Sequence, residues 1–592
     1  DTSALCSGAL AQRSARSAMS RCVVAVLSVL ATAAGNTVWP KPQSQADSGT
    51  TFMLDGSSFE FTGEGAGAGS AILLDGFKRY EGIIGITDAA RSSVRHGAAP
   101  LETITGCRVT VTSADETLAL ETDESYKLVV AAPTMTISAP TVFGALNGLE
   151  TLSQLISHAM EVNGTTITDH PRYQFRATMI DTSRHYYPVE VILQHLDAMA
   201  YAKFNTLHWH IVDSVSFPFQ STTFPEMSVQ GAYSPNHVYT HDDIGTVVAY
   251  AKARGIRVIP EFDTPGHVEQ GYLALDPPIL TSCYTDGQPS GETGPLDPTS
   301  NATYTFLKQF YAEVKSVFPD KFVHVGGDEV PSDCWASNPA IQKYMADHNL
   351  KSFADLETLY EQQLLNILKD QGTSYIVWQE IYDNGAKILP DTVIDVWKGG
   401  NWQEEIANVT RDGFHAVLSA PFYLNYISYG EDWPKYYTVE PSNFTGGEAA
   451  DAKGLVGGVE VRVSPVAATL CASATSSPLL AGWPLPVVCL SRRRSACGPS
   501  LLMLPILSRG SGLGRQPSVN GGGRPRRCAT SMRLGFGCTN SAASCSSAES
   551  PRSPSPTVVT SRSSTCTTFV LGSGCRTMSV RGRDSWVHSP AR

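Results

Sequence analysis

From Tyr173 onward the chain alternates short apolar runs with amphipathic stretches. Phe175–Asp181, Thr206–Asp213, Ile256–Phe262, Phe322–Val325, Tyr375–Gln379, Val393–Trp397 and Phe414–Ser419 are largely apolar, as expected of parallel strands covered on both faces. Helical spacing of apolar residues predicts helices between most of them: Val189–Lys203, Asp242–Arg254, Thr303–Val317, Ser352–Leu368 and Gln403–Thr410. Seven strand–helix units in roughly 250 residues predict the α/β class, a (β/α)8 TIM-type barrel over 171–460. Leu455–Glu460 is the candidate eighth strand, and the last unit is incomplete. Residues 36–170 read differently, with alternating runs such as Tyr126–Val130 and Met135–Ile137. They end in a predicted helix, Thr141–His158, with Phe143, Leu146, Leu149 and Leu152 on roughly one face. This predicts a small α+β domain ahead of the barrel.

Composition changes the picture at the ends. Of 592 residues, 17% are charged and 42% hydrophobic, with a net charge of −12; collagen, coiled coil and a wholly disordered chain are excluded. No apolar run approaches the ~20 residues of a membrane span. Residues 461–592 carry 16 Arg, no Lys, one Glu and one Asp, and hold 8 of the 13 cysteines. This stretch is a low-complexity basic tail. Three readings apply to it: a basic arm for anionic surfaces, a native disordered tail, or intron or frame-shifted sequence beginning near Val461. The abrupt change of composition favours the last. At the other end, Met19-Ser20-Arg21 leads into the apolar run Cys22–Ala34 and then small residues, the pattern of a secretory signal peptide over 19–35. Residues 1–18 are then expected to be untranslated sequence. Secretion argues against nucleic acid as a partner for the tail.

A parallel barrel places its site at the C-terminal ends of its strands. Read in order, those ends carry Asp181 and Arg184, His210 and Asp213, Glu261, Asp263 and His267, and Asp328 and Glu329. Trp378 and Glu380, Trp397, and Tyr423 with Asn425 follow. The densest point is His324-Val325-Gly326-Gly327-Asp328-Glu329. Adjacent carboxylates in a partly dry cleft tend to push one pKa up, and a carboxylic acid still protonated near neutrality suits a departing glycosidic oxygen. A solvated Asp-Glu turn is the bland alternative, weakened by the flanking His and two Gly.

These residues resemble the glycoside hydrolase family 20 β-N-acetylhexosaminidases, nearest the eukaryotic lysosomal-type subfamily. The resemblance runs through His324–Glu329, Asp181-Thr182-Ser183-Arg184-His185, His208-Trp209-His210-Ile211-Val212-Asp213, Glu261-Phe262-Asp263-Thr264-Pro265-Gly266-His267, Val377-Trp378-Gln379-Glu380, and Ala420-Pro421-Phe422-Tyr423-Leu424-Asn425. Val38-Trp39-Pro40-Lys41-Pro42 resembles the opening of the family's small N-terminal domain. The resemblance implies a retaining exo-hydrolase of terminal β-linked GlcNAc or GalNAc that uses no metal or organic cofactor. The sugar's own acetamido oxygen would attack the anomeric carbon, giving an oxazolinium intermediate. By the same resemblance Glu329 is the general acid and then base, Asp328 orients the acetamido N–H, and Tyr423 donates to its oxygen. Arg184, Asp213, His267 and Asn425 would bind or support the sugar, and Trp378 and Trp397 would wall the acetamido pocket. Cys283 and Cys334 match a family disulfide, which fits an oxidising compartment; Cys107 is left without an assigned partner.

Two patterns stand outside the resemblance. His208-x-His210 could ligate a metal, but no spaced third ligand is evident, and packing is the favoured reading. Asn163, Asn301, Asn408 and Asn443 are N-glycosylation acceptors, which with a signal peptide point to the secretory route: lysosome, vacuole or extracellular space. The partners expected are glycoprotein, glycolipid or chitin-derived glycans, and a homodimer is an expectation from the family. The sequence departs from the family after Gly457-Gly458-Val459-Glu460, where the segment with a further pocket Trp, a sugar-contacting Glu, a closing helix and a disulfide pair is missing. The chain as written is therefore expected to fold poorly or be inactive. The rival class is a catalytically inactive glycan-binding protein on the same scaffold.

Overall fold

The computed structural model describes residues 38–86, 101–463, 487–488 and 503–504. The signal-peptide segment, the stretch before it and nearly all of the basic tail lie outside the described residues.

Residues 38–86 and 101–169 form a sheet backed by two helices. Its strands are β1 (Ser44–Leu54), β2 (Glu60–Glu64), β3 (Glu102–Ile104), β4 (Gly106–Val111), β5 (Tyr126–Val130), β6 (Thr134–Ala139) and β7 (Glu161–Asp169), in the spatial order β2-β4-β6-β5-β7-β1-β3. Helices Ala71–Ile84 and Val142–Leu155 lay Leu73, Phe77, Leu146, Leu149 and Leu152 into one core with Val109, Leu128 and Ile137. Thr141 caps the second helix, its side chain accepting from the Gly144 N–H. That helix ends three residues earlier than the periodicity predicts, because Ile156 turns extended and Ser157 to Met160 closes a turn into β7.

The barrel strands are β8 (Phe175–Asp181), β9 (Thr206–Val212) and β10 (Arg257–Phe262), then, after a hairpin of β11 (Leu280–Thr285) and β12 (Gln288–Leu296), β13 (Phe322–His324), β14 (Ser374–Trp378), β15 (Val393–Val396), β16 (His415–Leu418) and β17 (Val456–Val463). Eight of them close into a parallel barrel, with β17 pairing β8 from Gly458↔Phe175 to Val463↔Ile180. The eighth strand thus runs three residues past its expected end at Glu460. The five expected helices are present at Val189–Tyr201, His241–Lys252, Asn301–Val317, Phe353–Asp370 and Trp402–Arg411.

Alternate residues of each strand face the barrel interior, and that interior changes character along its axis. Its lower layer is apolar, built from Phe175, Ala177, Ile259, Phe322, Ile376, Val393 and Val417. Two residues on toward the mouth, the same faces carry Glu261, His324, Trp378 and Asp395, joined by His208 and Glu460, all buried.

The small domain is joined to the barrel by buried polar contacts. Lys203 Nζ reaches Thr151 Oγ1 at 2.8 Å, Tyr126 Oη at 3.0 Å and Asp169 Oδ2 at 3.3 Å. Glu124 pairs with Arg176 and accepts from Asn205 Nδ2 at 2.7 Å.

Candidate active site

The turn after β13 places the central carboxylates. Gly326 and Gly327 adopt φ of +73° and +95°, conformations that glycine enters without the Cβ penalty. A Cβ on Gly326 would stand 1.7 Å from Asp263 Oδ1, so no side chain fits there. The Gly327 N–H donates to that oxygen at 2.9 Å, and the Trp378 N–H donates to the Gly326 carbonyl at 3.1 Å. The loop is thus tied to the ends of β10 and β14 before it delivers Asp328 and Glu329.

Glu329 and His267 are both held at positive φ, +51° and +52°, a costly conformation for residues with a Cβ that recurs at functional sites. The Glu329 carboxylate is 60% exposed, whereas Asp328 is buried. His267 Nε2 lies 3.6 Å from Glu329 Oε2 and 3.8 Å from Asp328 Oδ2, and its Nδ1 is 3.3 Å from Asp213 Oδ2. Asp213 also receives Arg184 Nη2 at 2.7 Å and His210 Nε2 at 2.9 Å, while Arg184 Nη1 reaches Asp181 at 2.9 Å. Arg184, Asp213, His267, Asp328 and Glu329 are therefore brought together at one mouth, from the ends of four strands.

The charges follow from this arrangement. Burial opposes charge on His267, but Asp263, Asp213 and Glu329 outweigh it and carry the imidazole up to about 12. Burial likewise opposes ionisation of Asp213, yet His210, His267 and Arg184 hold it far below the usual carboxylate range. Glu329 is not a raised acid of the adjacent pair. Contact with the His267 cation lowers Glu329, whose carboxylate turns toward solvent at its positive φ. The acid pushed well up is Asp263, by burial and by the charge of Asp328.

Beneath the mouth lies a network that sequence reading missed. Glu261 contacts His210 Nδ1 at 2.5 Å, His208 Nε2 at 2.9 Å and His324 Nδ1 at 3.4 Å, and accepts from Trp378 Nε1 at 2.9 Å. His208 Nδ1 lies 2.8 Å from Glu460. Burial opposes charge on His208, but Glu460 and Glu261 carry it up to about 10; His210 reaches about 9 through Glu261 and Asp213. His208, Glu261 and His324 offer atoms within 4.8 Å of one another, but His210 is not in that group, so the His-x-His pair does not itself form a ligand set with a third residue among the described residues. The histidine–carboxylate contacts already account for these groups. The only advance signal was the repeated placement of polar residues late in apolar strands.

The aromatic residues separate into two environments. Trp397 is half-buried, its Nε1 donating to Glu380 at 2.9 Å. Tyr423 is buried and stacks on Tyr426 with centroids 5.0 Å apart, and Asn425 is exposed beside them. Trp378, expected to wall the acetamido pocket, is 1% exposed. The Arg462 guanidinium carbon sits 4.2 Å from its ring centroid and 4.6 Å from that of Tyr423. Asp328 Oδ1 and Tyr423 Oη, like Arg462 Nε, are buried here without a hydrogen-bond partner among the described residues.

Farther out, Cys283 and Cys334 form a disulfide linking β11 to the short helix Asp333–Ser337, just after Glu329. Cys107 is free and buried. Asn163, Asn301 and Asn443 are exposed and Asn408 is half-buried. Among the described residues no helix is long and apolar enough to cross a membrane.

A closed parallel barrel with paired acids, an arginine fork and aromatic residues at its C-terminal mouth defines a barrel glycoside hydrolase. Residues 173–461 match the glycosyl hydrolase family 20 catalytic domain, and 38–155 match the beta-acetyl hexosaminidase-like domain. Beta-hexosaminidase subunit beta of Felis catus is 46% identical over 427 residues, covering 70% of this chain and 80% of that one. The subunit alpha of Rattus norvegicus is 43% identical over 443 residues, covering 73% and 83%. Among solved structures, the chitobiase of Flavobacterium johnsoniae superposes with TM-score 0.62 at 29% identity, covering 72% of this chain and 66% of the other. The Vibrio harveyi exo β-N-acetylglucosaminidase in complex with N-acetylglucosamine gives 0.59 at 26%, covering 72% and 69%. The chain belongs to glycosyl hydrolase family 20.

Proposed function

We propose that this chain is an exo-acting β-N-acetylhexosaminidase that removes terminal non-reducing GlcNAc or GalNAc from glycans by substrate-assisted catalysis. The observation that carries the assignment of roles is the pair of buried, unpartnered atoms, Asp328 Oδ1 and Tyr423 Oη. One is an acceptor and the other a hydroxyl donor. An acetamido group satisfies both at once, its N–H donating to Asp328 and its carbonyl oxygen accepting from Tyr423. A buried polar atom without a partner costs about 1–3 kcal/mol, which a matching ligand recovers.

With the amide so held, its oxygen attacks the anomeric carbon and an oxazolinium ion forms. Asp328 stabilises the positive charge that develops on the amide. Glu329 delivers a proton to the leaving glycosidic oxygen and then takes one from water in the second step. In the free protein Glu329 is ionised against His267; a sugar seated over it removes water and favours its protonated form. Arg184, set by Asp181 and Asp213, presents its planar fork to sugar hydroxyls, with Asn425 exposed beside Tyr423. Trp397 flanks the pocket.

The domain limits proposed are 36–170 for the small domain and 171–460 for the barrel, whose closing strand runs on to Val463. The disulfide supports passage through an oxidising, secretory compartment, with lysosome, vacuole or extracellular space as its end, and the exposed sequons are the proposed glycosylation sites. A homodimer is the proposed assembly. The test of the site is hydrolysis of an aryl β-N-acetylglucosaminide by the chain and by Glu329→Gln and Asp328→Asn. Both substitutions are expected to lower kcat at least a hundredfold. A Glu329→Gln variant with unchanged turnover would overturn the assignment and favour a glycan-binding role.

A further inference from the structure

We infer that Arg462 occupies the pocket for the sugar's C2 substituent and competes with it, making Arg462 a specificity-determining residue of this site. The inference rests on the reading of Asp328, Trp378 and Tyr423 given above.

Arg462 lies on β17, the strand that closes the barrel. Its backbone is fixed against the site: the Leu424 N–H donates to the Arg462 carbonyl at 3.2 Å, and Tyr423 forms a parallel bridge with Arg462. The residue therefore cannot withdraw without disturbing the segment that carries Tyr423. From that anchor its guanidinium carbon comes within 4.2 Å of the Trp378 centroid and 4.6 Å of the Tyr423 centroid. Both distances fall in the range of cation–π attraction. The two aromatic residues assigned to the acetamido group are thus in contact with a cation of the chain itself.

The electrostatics explain why the cation stays. Burial opposes its charge, but Tyr423, Glu460, Asp395 and Glu261 favour it. Burial, with the Arg462 charge contributing, holds His324 on the same floor well below the ordinary imidazole range. No ion pair to a carboxylate at contact distance holds Arg462 among the described residues, and its Nε lacks a hydrogen-bond partner. The guanidinium is therefore held by stacking and by diffuse field, and a long side chain held this way can be displaced. A neutral acetamide must displace it before its methyl can reach the Trp378 face. The cost is spent on binding rather than on the bond-breaking step, so it raises KM more than it lowers kcat.

The test compares the full chain with Arg462→Ala and Arg462→Met on an aryl β-N-acetylglucosaminide. Methionine keeps the length and apolar bulk without the charge, and serves if alanine fails to fold. The expected result is a fall in KM of at least tenfold in the variants, with kcat changing less than threefold. Arg462→Lys, which keeps charge but not the flat stacking surface, falls between. Binding of free N-acetylglucosamine in a Glu329→Gln background, read by tryptophan fluorescence, is expected to tighten by the same factor. An unchanged or higher KM in both variants, with the parent chain active, overturns this inference alone. Absence of both hydrolysis and N-acetylglucosamine binding from every variant overturns the reading of the site, and this inference with it.

Discussion

Replacing Gly326 by alanine tests whether the two-glycine turn is what holds the acids in place. At φ +73° the methyl group alone costs about 1–2 kcal/mol of backbone strain. The larger effect is steric. The new Cβ would meet Asp263 Oδ1 at 1.7 Å, its Cγ at 2.3 Å and its Cα at 2.7 Å. Rotating the Asp263 side chain clears the first two atoms but not the third, which is backbone, so the loop and the end of β10 must move apart. That movement breaks the 2.9 Å bond from the Gly327 N–H to Asp263, and a buried donor left unpaired costs about 1–3 kcal/mol. Together these give roughly 2–5 kcal/mol, which for a barrel of this size lowers the melting temperature by about 4–10 °C. A displacement near 1 Å at the reacting groups costs about a hundredfold in rate. Circular dichroism melts and aryl glycoside hydrolysis, run side by side, read both effects. Gly413→Ala is the control, because its φ is +92° but nothing lies within 4 Å of its added Cβ; only the strain of about 1–2 kcal/mol applies there. A Gly326→Ala protein that melts with the parent and keeps more than half its activity would refute the reasoning.

Three further outcomes follow from the buried charges. His208 and His210 have folded-state values of about 10 and 9 against an ordinary 6.5, so their stabilisation is full below pH 6.5 and is lost as pH rises toward 9–10. Asp213 and Glu261 are depressed, and their contribution is present above about pH 4 and lost below it; the melting temperature should therefore peak in the mildly acid range, and a maximum above pH 8 would contradict this. Lys203→Met leaves Asp169 without its buried ammonium partner and should cost about 3–5 kcal/mol in chemical denaturation, whereas a change under 1 kcal/mol would show that the junction does not depend on that charge. Glu361 is 1% exposed, both its carboxyl oxygens lack hydrogen-bond partners among the described residues, and burial pushes its pKa well up. Glu361→Leu should stabilise the protein by about 1–3 kcal/mol, and a loss of stability would refute that.

The barrel was legible in the chain because each strand is an apolar run with a chemically loaded end. Phe175–Asp181 is observed over the whole predicted range, and the other strands differ by one to three residues at their ends. The mouth residues could be collected from those ends without any distance, since the fold places all of them on one side. Three features could not be read this way. The parallel pairing of β2, β4 and β6 joins segments whose register depends on long-range contacts. The contact of His208 with Glu460 spans 252 residues, and nothing local announces it. The covering of Trp378 is not announced by its place at a strand end, which is the same whether its face is free or covered; only closure of the barrel by β17 brings Arg462 across it.

The central claim is that the substrate's own amide, clamped by Asp328 and Tyr423, is the nucleophile. The most direct measurement is kcat for a series of aryl β-glycosides whose N-acyl methyl carries zero, one, two or three fluorines. Fluorine withdraws electron density from the amide oxygen while changing its size little. If that oxygen attacks the anomeric carbon, kcat falls steeply and progressively along the series. A flat series, with turnover still dependent on Glu329, would contradict the account and place the nucleophile on the protein or on water.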